Sequence, residues 1–349
     1  MYIDFLDPQE EDLFRRDPRE LERRVEALSK KQTHVILDEI QKAPRLLDLI
    51  HRLIESTHRT FVMTGSSARK LKRGVSNLLA GRAFVYHLHP LTASEIGSSF
   101  QLIEALKWGT LPRIFQLTSS KEKAAYLRAY ALTYLKEEII SEQLIRRIDP
   151  FRNFLEVAAQ CNGQILNFSK IARDVGVDTK TTQTFFEILE DTLIGFLLPA
   201  YHRSIRKRQN TQPKFFFFDL GVKRALERSV EQGLYPKTYA FGQAFEHFVV
   251  LEVFRLGSYT KPDWRFSYIR TKDGAEIDLV IDRPGKPLVL LEIKSTDHVT
   301  DQDISTLARF KKDIPHCEAY CLSLDPHSKK IGTVHCFLWN VGLAAIGLS

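Results

Sequence analysis

The segment His34-Val35-Ile36-Leu37-Asp38-Glu39 is an apolar run that ends in two acidic residues. Such a run suits a strand that is buried on both faces of a parallel sheet. A helical pattern follows it, and a second apolar run, TFVMT (60–64), comes next. Strand, helix and strand at this spacing predict a βαβ unit. AFVYHL (83–88) is predicted as a further strand of the same α/β sheet.

The two acids predict a nucleotide site, because ligands of open α/β sheets bind beyond the carboxyl ends of the strands. One acid can orient Mg²⁺ there, and the next can activate the water that attacks ATP. Asp38 is therefore a candidate metal ligand and Glu39 a candidate general base. Ser66 is a candidate sensor of the γ-phosphate, and Arg82 a candidate to stabilise transition-state charge. The alternatives are a solvated strand end for the acids and a surface position for Arg82.

Three segments carry a family resemblance: VILDEIQKAP (35–44), MTGSSARKLKRG (63–74) and LAGRAFVYHLHPLTASEI (79–96). They resemble the AAA-type ATPases of bacteria and archaea in which a nucleotide-binding domain precedes a restriction-endonuclease-like domain. The resemblance continues through WGTLPRIF (108–115) and covers nearly the whole chain. It implies a P-loop NTPase sheet, a second domain of nuclease type, and Mg²⁺ and ATP as cofactors.

The phosphate-binding loop of that family, Gly-x-x-x-x-Gly-Lys-Ser/Thr, does not occur in this sequence, and no glycine precedes Asp38. Without a glycine-rich turn, backbone amides cannot cradle phosphates, and no loop lysine pairs with them. The chain therefore resembles the family without its first strand and phosphate loop, about 40–50 residues short at its front. We expect weak ATP binding and negligible hydrolysis.

Residues 168–182, FSKIARDVGVDTKTT, follow the pattern of a helix-turn-helix. Ser169 is predicted to cap the first helix, Gly176 to form the turn, and Asp178 or Thr179 to cap the second helix. The second helix should turn its apolar side chains inward; these are Phe185, Ile188 and Leu189. The segment TLIGFLL (192–198) then suits the strand of a winged helix.

A nucleic-acid interface is predicted around this second helix. Lys180 and Gln183 would face a DNA groove. A basic run follows, and phosphate contacts dominate non-specific affinity for nucleic acid. The members of this run are Arg203, Arg206, Lys207, Arg208 and Lys214. The alternatives are a module that packs between domains and a solvated basic loop.

A third pattern combines two acids and a lysine. Asp278 lies in the predicted strand EIDLVID (276–282), and the turn RPGKP (283–287) leads into a second strand. Glu292 and Lys294 lie two residues apart on that strand and so share a face. Asp278 and Glu292 can then converge to hold Mg²⁺, while Lys294 positions or activates water beside a scissile phosphate.

This Asp…Glu-x-Lys pattern resembles that of the restriction-endonuclease-like, or PD-(D/E)XK, folds. Glu246, in a helix predicted at about 240–256, matches the helix acid that often completes their metal site. The alternative is a set of charged strand ends that form ion pairs. Four consecutive phenylalanines (215–218) predict a strand that is covered on both faces.

The composition is that of a folded globular protein, with 44% hydrophobic and 27% charged residues, and the net charge of +7 permits a nucleic-acid partner. No apolar run reaches the ~20 residues of a membrane span. Four cysteines in 349 residues form no disulfide framework, so we expect a reducing cytoplasm. Cys317 and Cys321 would lie roughly 13 Å apart on a strand, so we expect core positions rather than zinc ligands.

The sequence thus predicts four parts: a truncated AAA-type core (1–98), a helical connector (99–150), a winged-helix-like segment (151–202) and a mixed α/β PD-(D/E)XK nuclease-like domain (203–349). The expected function is that of an AAA-family ATP-binding protein coupled to a Mg²⁺-dependent nuclease-like domain. The alternative is a non-enzymatic DNA-binding or protein-interaction module in which both sites are vestigial. We expect nucleic acid as a partner, ATP as a weakly bound ligand and no membrane, and we allow for a homo-oligomer.

Overall fold

The computed structural model describes residues 1–65, 83–134, 148–202 and 212–348. It has two compact units, one of Met1–Val85 with Asp191–Leu193, the other of Tyr86–Glu190 with Ile194–Ser349. Within the described ranges, no helix combines the length and the apolar character that a membrane span needs.

The first unit is built on a parallel sheet with the strand order β1-β2-β3. Its elements are β1 (Tyr2–Asp4), α1 (Pro8–Arg16), α2 (Glu20–Glu26), β2 (His34–Asp38), α3 (Leu46–Ser56) and β3 (Thr60–Met63). Helix α3 buries its apolar face against the sheet, because Ile50 and Leu53 share one core with Val35 and Leu37. The predicted βαβ unit, which runs from β2 through α3 to β3, is confirmed.

Two strand predictions need correction. Strand β1 was missed, since three residues are too few to show a pattern. The strand predicted over AFVYHL (83–88) is wrong, because these residues are described and carry no strand. An apolar run forms a strand only where another strand pairs with its backbone groups. The strands of the described sheet, β1 to β3, pair only among themselves.

The second unit begins with the predicted helical region. Its helices are α4 (Ala93–Ile96), α5 (Leu102–Trp108), α6 (Ser120–Ala129) and α7 (Ile148–Gln160). Capping boxes at Thr92 and Ser119 start α4 and α6, since in each the side chain of the third helical residue, a glutamate, returns to the cap. Helices α5, α6 and α7 confirm the helical middle part of the chain.

A helix-turn-helix follows, as predicted, together with a strand hairpin. It consists of α8 (Phe168–Val175), α9 (Thr179–Asp191), β4 (Gly195–Leu198) and β5 (Lys214–Phe217), with β4 antiparallel to β5. Gly176 has a φ of 77°, which allows the tight turn between the helices. Asp178 caps α9 as expected, but the cap of α8 is Asn167, whose side chain accepts a bond from the Lys170 amide. The Ser169 cap prediction was wrong by two residues.

The remainder of the unit is a mixed sheet with the order β10-β11-β9-β8-β7-β6. Its strands are β6 (Arg265–Arg270), β7 (Glu276–Asp282), β8 (Leu288–Lys294), β9 (Cys317–Ser323), β10 (Lys329–Ile331) and β11 (Val334–Leu338). Its helices are α10 (Leu220–Leu226), α11 (Tyr239–Thr260), α12 (Ser305–Asp313) and α13 (Trp339–Ile346). Strand β8 is antiparallel to β7 and parallel to β9.

Both faces of this sheet are covered. Helix α11 shares a core with Leu279 and Leu291, while Val280 and Leu290 point to a second core that includes α12. Cys317, Cys321 and Cys336 are buried in that second core, as the sequence suggested. Strand β5 is buried along its whole length, which confirms the prediction from the phenylalanine run. The predicted fold class is confirmed: an N-terminal parallel sheet, a helical middle region and a mixed C-terminal sheet.

Candidate functional site

The β7–β8 pair brings the Asp…Glu-x-Lys residues together. Leu279 lies opposite Leu291, so Asp278 stands beside the end of β8. The Asp278 Oδ2 atom accepts a hydrogen bond from the Ile293 amide at 2.7 Å. On β8, Lys294 Nζ lies 2.6 Å from Glu292 Oε1. Two neighbouring strands thus place two carboxylates and one ammonium at one end of the sheet.

Helix α11 adds Glu246 to this group. Its side chain is 28% exposed, and Glu246 Oε1 lies 3.6 Å from Lys214 Nζ. The Glu246 carboxyl also interacts electrostatically with Asp278 and Glu292. The structure therefore gathers all four residues predicted for this site.

Two further charged residues of the site were missed from the sequence. Lys214 is predicted to contact phosphates as part of the basic run, but its side chain is only 3% exposed. It forms a close ion pair with Glu276, which also lies 3.6 Å from Arg270. The sequence contains one signal for the burial of Lys214, which directly precedes four phenylalanines. A strand that is covered on both faces is expected to bury its first residue as well. We call Glu246, Glu276, Asp278, Glu292, Lys214 and Lys294 the charged cluster.

Three acids of the charged cluster, Glu246, Asp278 and Glu292, resist ionisation. Removal from water, together with the charge of Asp278, raises the pKa of Glu292 to about 8, and Lys294 only partly offsets this. Desolvation and Asp278 likewise raise the pKa of Glu246 to about 7 against the pull of Lys214. Desolvation also raises the pKa of Asp278 above its usual range. Strongly shifted groups of this kind are typical of functional sites, although structural ion-pair networks produce them as well.

The Glu292 Oε2 atom indicates whether a metal ion fits the charged cluster. Glu292 Oε2 is buried and, within the described part of the protein, has no hydrogen-bond partner. A buried carboxylate oxygen without a partner is costly, and oxygen ligands are what Mg²⁺ prefers. In the described ranges, however, no three His, Cys, Asp or Glu side chains converge so as to hold a metal ion. The residues thus fit a metal held by two carboxylates better than one held by three.

A cleft of about 920 Å³ opens beside the charged cluster. One wall is the segment Gly163–Ile165 before α8, and another is the start of α11 with Thr238, Tyr239 and Gln243. Lys214, Glu246 and Lys294 line it as well. The cleft is large enough for part of a polymeric substrate and lies between the segment that directly precedes α8, the start of α11 and the end of β8.

In the first unit, Asp38 and Glu39 stand at the carboxyl end of β2 as predicted. Asp38 Oδ2 accepts a 2.7 Å hydrogen bond from the Tyr2 hydroxyl, and Oδ1 accepts a closer one from the Thr64 hydroxyl. These bonds hold the pKa of the Asp38 carboxyl below its usual range and raise the pKa of Tyr2 to about 12. Tyr2 and Thr64 were not singled out as partners of Asp38.

Glu39 has a φ of 56°, a backbone conformation that residues other than glycine rarely adopt. The Gln41 amide donates a close hydrogen bond to the Glu39 carboxylate. Strain of this kind, which costs of order 1–3 kcal/mol, occurs preferentially at functional positions. Ser66 and Arg82, the other residues predicted for this site, lie outside the described residues.

The predicted nucleic-acid interface is described only in part. Lys180 and Gln183 are exposed on α9, while Phe185, Ile188 and Leu189 are buried as expected. The face of α9 opposite its core thus carries the two polar residues predicted to meet DNA. The remaining members of the predicted interface, Arg203, Arg206, Lys207 and Arg208, lie outside the described residues.

Three family models match successive parts of the chain. Residues 1–97 match an AAA domain, residues 99–233 match a domain of unknown function (DUF8612), and residues 241–339 match another domain of unknown function (DUF4143). The chain therefore carries an AAA-family domain, an ATPase-like module, at its N-terminus. The charged cluster, apart from Lys214, lies within the segment that matches DUF4143.

The relatives compared are uncharacterized proteins. One from Mycobacterium tuberculosis is 28% identical over 272 residues, 77% of this chain and 60% of the relative. One from Haemophilus influenzae is 22% identical over 303 residues, 81% of this chain and 72% of the relative. One from Methanocaldococcus jannaschii is 21% identical over 312 residues, 82% of this chain and 67% of the relative. The chain thus spans about 60% of the length of the mycobacterial relative it matches.

Proposed function

We propose that the charged cluster is the active site of a metal-dependent phosphodiesterase that acts on nucleic acid. One observation carries this proposal: Asp278, Glu292 and Lys294 meet at one end of the sheet, and a buried Glu292 oxygen lacks a partner among the described residues. The arrangement supports assignment of the C-terminal sheet to the PD-(D/E)XK, or restriction-endonuclease-like, type. The predicted domain boundaries at 98, 150 and 202 remain part of this proposal.

Each residue has a role in the proposed reaction. Asp278 and Glu292 would hold Mg²⁺, which when bound polarises the scissile phosphate and acidifies water. The Ile293 amide orients Asp278, and Lys294 orients Glu292. The Lys294 ammonium also lines the cleft, where it can position water or balance phosphate charge. Glu246, on α11, completes the charged cluster and pairs with Lys214.

Binding of nucleic acid is assigned to the helix-turn-helix region. Lys180 and Gln183 would contact the groove or phosphates from α9. The basic run with Arg203, Arg206, Lys207 and Arg208 would add phosphate contacts. The segment Gly163–Ile165, which directly precedes α8, lines the cleft, and this supports transfer of a strand from the helix-turn-helix to Lys294 and its neighbours.

The N-terminal domain is proposed to bind ATP weakly. Asp38 would orient Mg²⁺, Glu39 would act as general base, and Ser66 and Arg82 would contact phosphates. No glycine-rich loop with a lysine is present in this sequence to hold the β- and γ-phosphates. We therefore expect ATP turnover by this chain to be negligible, and robust turnover by the purified protein would contradict that expectation.

One observation favours a second candidate function. Within the charged cluster, Glu246 and Glu276 pair with Lys214, and Glu292 pairs with Lys294. Internal ion pairs of this kind also occur in sites without catalytic activity. In this alternative the chain is a non-enzymatic DNA-binding or protein-interaction module.

A cleavage assay separates the two functions. The full chain is incubated with single- and double-stranded DNA and RNA, with Mg²⁺ or Mn²⁺ or with EDTA, beside an Asp278→Ala variant. The enzyme hypothesis predicts cleavage that needs the metal and is lost in the variant. A salt-dependent mobility shift without cleavage would support the binding module instead.

A further inference from the structure

Lys214 is a buried cation among the acids of the proposed metal site, and it lies outside the Asp…Glu-x-Lys pattern. It is the first residue of β5, opposite Leu198 of β4, and it forms a further bridge to Ile165. Its ammonium lies 5.5 Å from the centroid of the Tyr268 ring. The strand hairpin that follows the helix-turn-helix thus places the Lys214 ammonium beside Glu246 and Glu276.

The ammonium stays charged at neutral pH. Burial by itself lowers the pKa of a lysine, but the carboxylates of Glu246, Asp278 and Glu276 together outweigh it and raise the pKa of Lys214 above its ordinary value. Lys214 is therefore a fixed positive charge, 3.6 Å from Glu246 Oε1 and in close contact with Glu276. A partnered ion in such a place is held firmly, because loss of its partners would leave a buried charge uncompensated.

This position accounts for the number of acids available to a metal. Glu246 is engaged by Lys214, whereas Glu292 keeps a buried oxygen that has no partner within the described part of the chain. We infer that Lys214 is a positioning residue that holds Glu246 as an ion pair and keeps it from ligating the metal, so that Asp278 and Glu292 are the metal's carboxylates. The inference rests on the proposed function, since it concerns the same site.

The charges of the cluster agree with this assignment. The Lys214 ammonium lies in close contact with Glu276 and 3.6 Å from Glu246 Oε1, so its positive charge opposes a divalent ion held by the neighbouring carboxylates. Without Lys214 this repulsion would be lost, and Glu246 would be released to bind the ion. Removal of Lys214 should therefore tighten metal binding and give it a third carboxylate.

A double-mutant cycle tests the inference by Mn²⁺ titration calorimetry on the full chain. We compare the loss of Mn²⁺ affinity caused by Glu246→Gln in the wild type and in Lys214→Met. Long-range electrostatic effects are common to both backgrounds, so the difference isolates direct ligation. We expect Lys214→Met to bind Mn²⁺ at least tenfold more tightly, and Glu246→Gln to cost at least tenfold more in that background. Equal losses in the two backgrounds would overturn the inference.

Two control variants sharpen the test. Lys214→Arg keeps the charge and should bind Mn²⁺ within threefold of the wild type. Lys237→Met removes a positive charge from an exposed lysine that lines the same cleft and should do likewise. A tenfold gain in affinity from Lys237→Met would show that overall charge, rather than Lys214 itself, controls the site, and would overturn the inference.

A measurement in the wild-type background decides the question if Lys214→Met does not fold. The inference predicts that Asp278→Asn weakens Mn²⁺ binding at least tenfold more than Glu246→Gln does, and equal effects would overturn it. Failure of the proposed function gives a different result. Absence of Mn²⁺ binding in both the wild type and Lys214→Met overturns the function and the inference together. Metal-dependent cleavage combined with equal Asp278 and Glu246 effects overturns the inference alone.

Discussion

At the scale of single residues, the burial of the Glu292 carboxyl in the proposed site reduces the stability of the folded protein. Its side chain is 8% exposed, one carboxylate oxygen bonds to Lys294, and the other has no partner in the part of the chain that the structure describes. The folded state therefore keeps the Glu292 proton to about pH 8. Bound metal would replace that proton, which links metal binding to pH.

This linkage gives a stability prediction with a definite sign. The pKa of Glu292 is raised from 4.5 to about 8 in the folded state, so between these values the folded state holds a proton that the unfolded state has lost. Stability must fall as pH rises through this window. We expect the free energy of unfolding of Glu292→Gln, taken relative to that of the wild type, to increase by about 1–3 kcal/mol from pH 5 to pH 9. Urea unfolding in EDTA measures this change.

The control for this prediction is Asp282→Asn, which changes an exposed acid on the neighbouring strand, β7. Because this side chain is exposed, the substitution should change the free energy of unfolding by less than about 0.5 kcal/mol. Loss of the Lys294 ion pair shifts the Glu292→Gln value at every pH, so only the change with pH is diagnostic. A difference between wild type and Glu292→Gln that stays constant from pH 5 to pH 9 would contradict the raised pKa.

At the scale of secondary structure elements, α9 carries the prediction for nucleic-acid binding. Lys180 is exposed on the face opposite Phe185 and Ile188. If Lys180 contacts a phosphate, Lys180→Ala should weaken binding to all DNA sequences by a similar factor and reduce the salt dependence by about one ion. Fluorescence anisotropy at several salt concentrations measures both quantities.

Lys312→Ala is the matched control, because it removes an exposed lysine from another helix, α12, of the same unit. It should leave the affinity and its salt dependence unchanged. If Lys180→Ala and Lys312→Ala behave alike, α9 does not contact the nucleic acid and the helix-turn-helix has a packing role.

The elements of this protein were largely predictable from local pattern. Strands β7 and β8 could be identified from alternation and from the turn RPGKP (283–287), and α9 from its cap and its buried face. Where a neighbour decides the outcome, local pattern failed. The apolar run 83–88 has the composition of a strand but is not a strand in the structure, and β1 is too short to show a period.

The same contrast holds for the candidate site. Asp278, Glu292 and Lys294 could be predicted to meet because they lie on two consecutive strands joined by a short turn. Lys214 could not be placed, because it lies more than 60 residues before them and joins the cluster only through tertiary packing. Charge alone does not distinguish a solvated lysine from a buried one.

At the scale of the whole second unit, a buried network around Arg255 joins segments distant in sequence. Arg255 is 2% exposed and donates hydrogen bonds to the Leu91 carbonyl, the Thr110 hydroxyl and the Phe218 carbonyl. Thr110 in turn donates its amide to the fully buried Asp219 at 2.7 Å. Helix α11, which carries Glu246, is thereby fixed to the loop after α5 and to the end of β5.

We expect Arg255→Met to reduce the free energy of unfolding by about 3–5 kcal/mol, because it leaves buried acceptors and the Asp219 charge without their cation. Chemical denaturation monitored by circular dichroism measures the loss. Arg265→Met, which changes an exposed arginine at the start of β6, should stay within about 0.5 kcal/mol of the wild type. Equal effects of the two variants would contradict a structural role for the network.

A single-turnover cleavage rate is the decisive measurement for the proposed metal-dependent nuclease activity of Asp278 and its neighbours. The rate is measured in Mg²⁺ for the wild type, Asp278→Asn and the matched control Asp282→Asn on β7. We expect the rate to fall about 100-fold or more for Asp278→Asn, because metal-ion stabilisation contributes several kcal/mol, and to change by less than about twofold for Asp282→Asn. Wild-type protein that cleaves no nucleic acid, or a folded Asp278→Asn variant that cleaves at the wild-type rate, would contradict the claim.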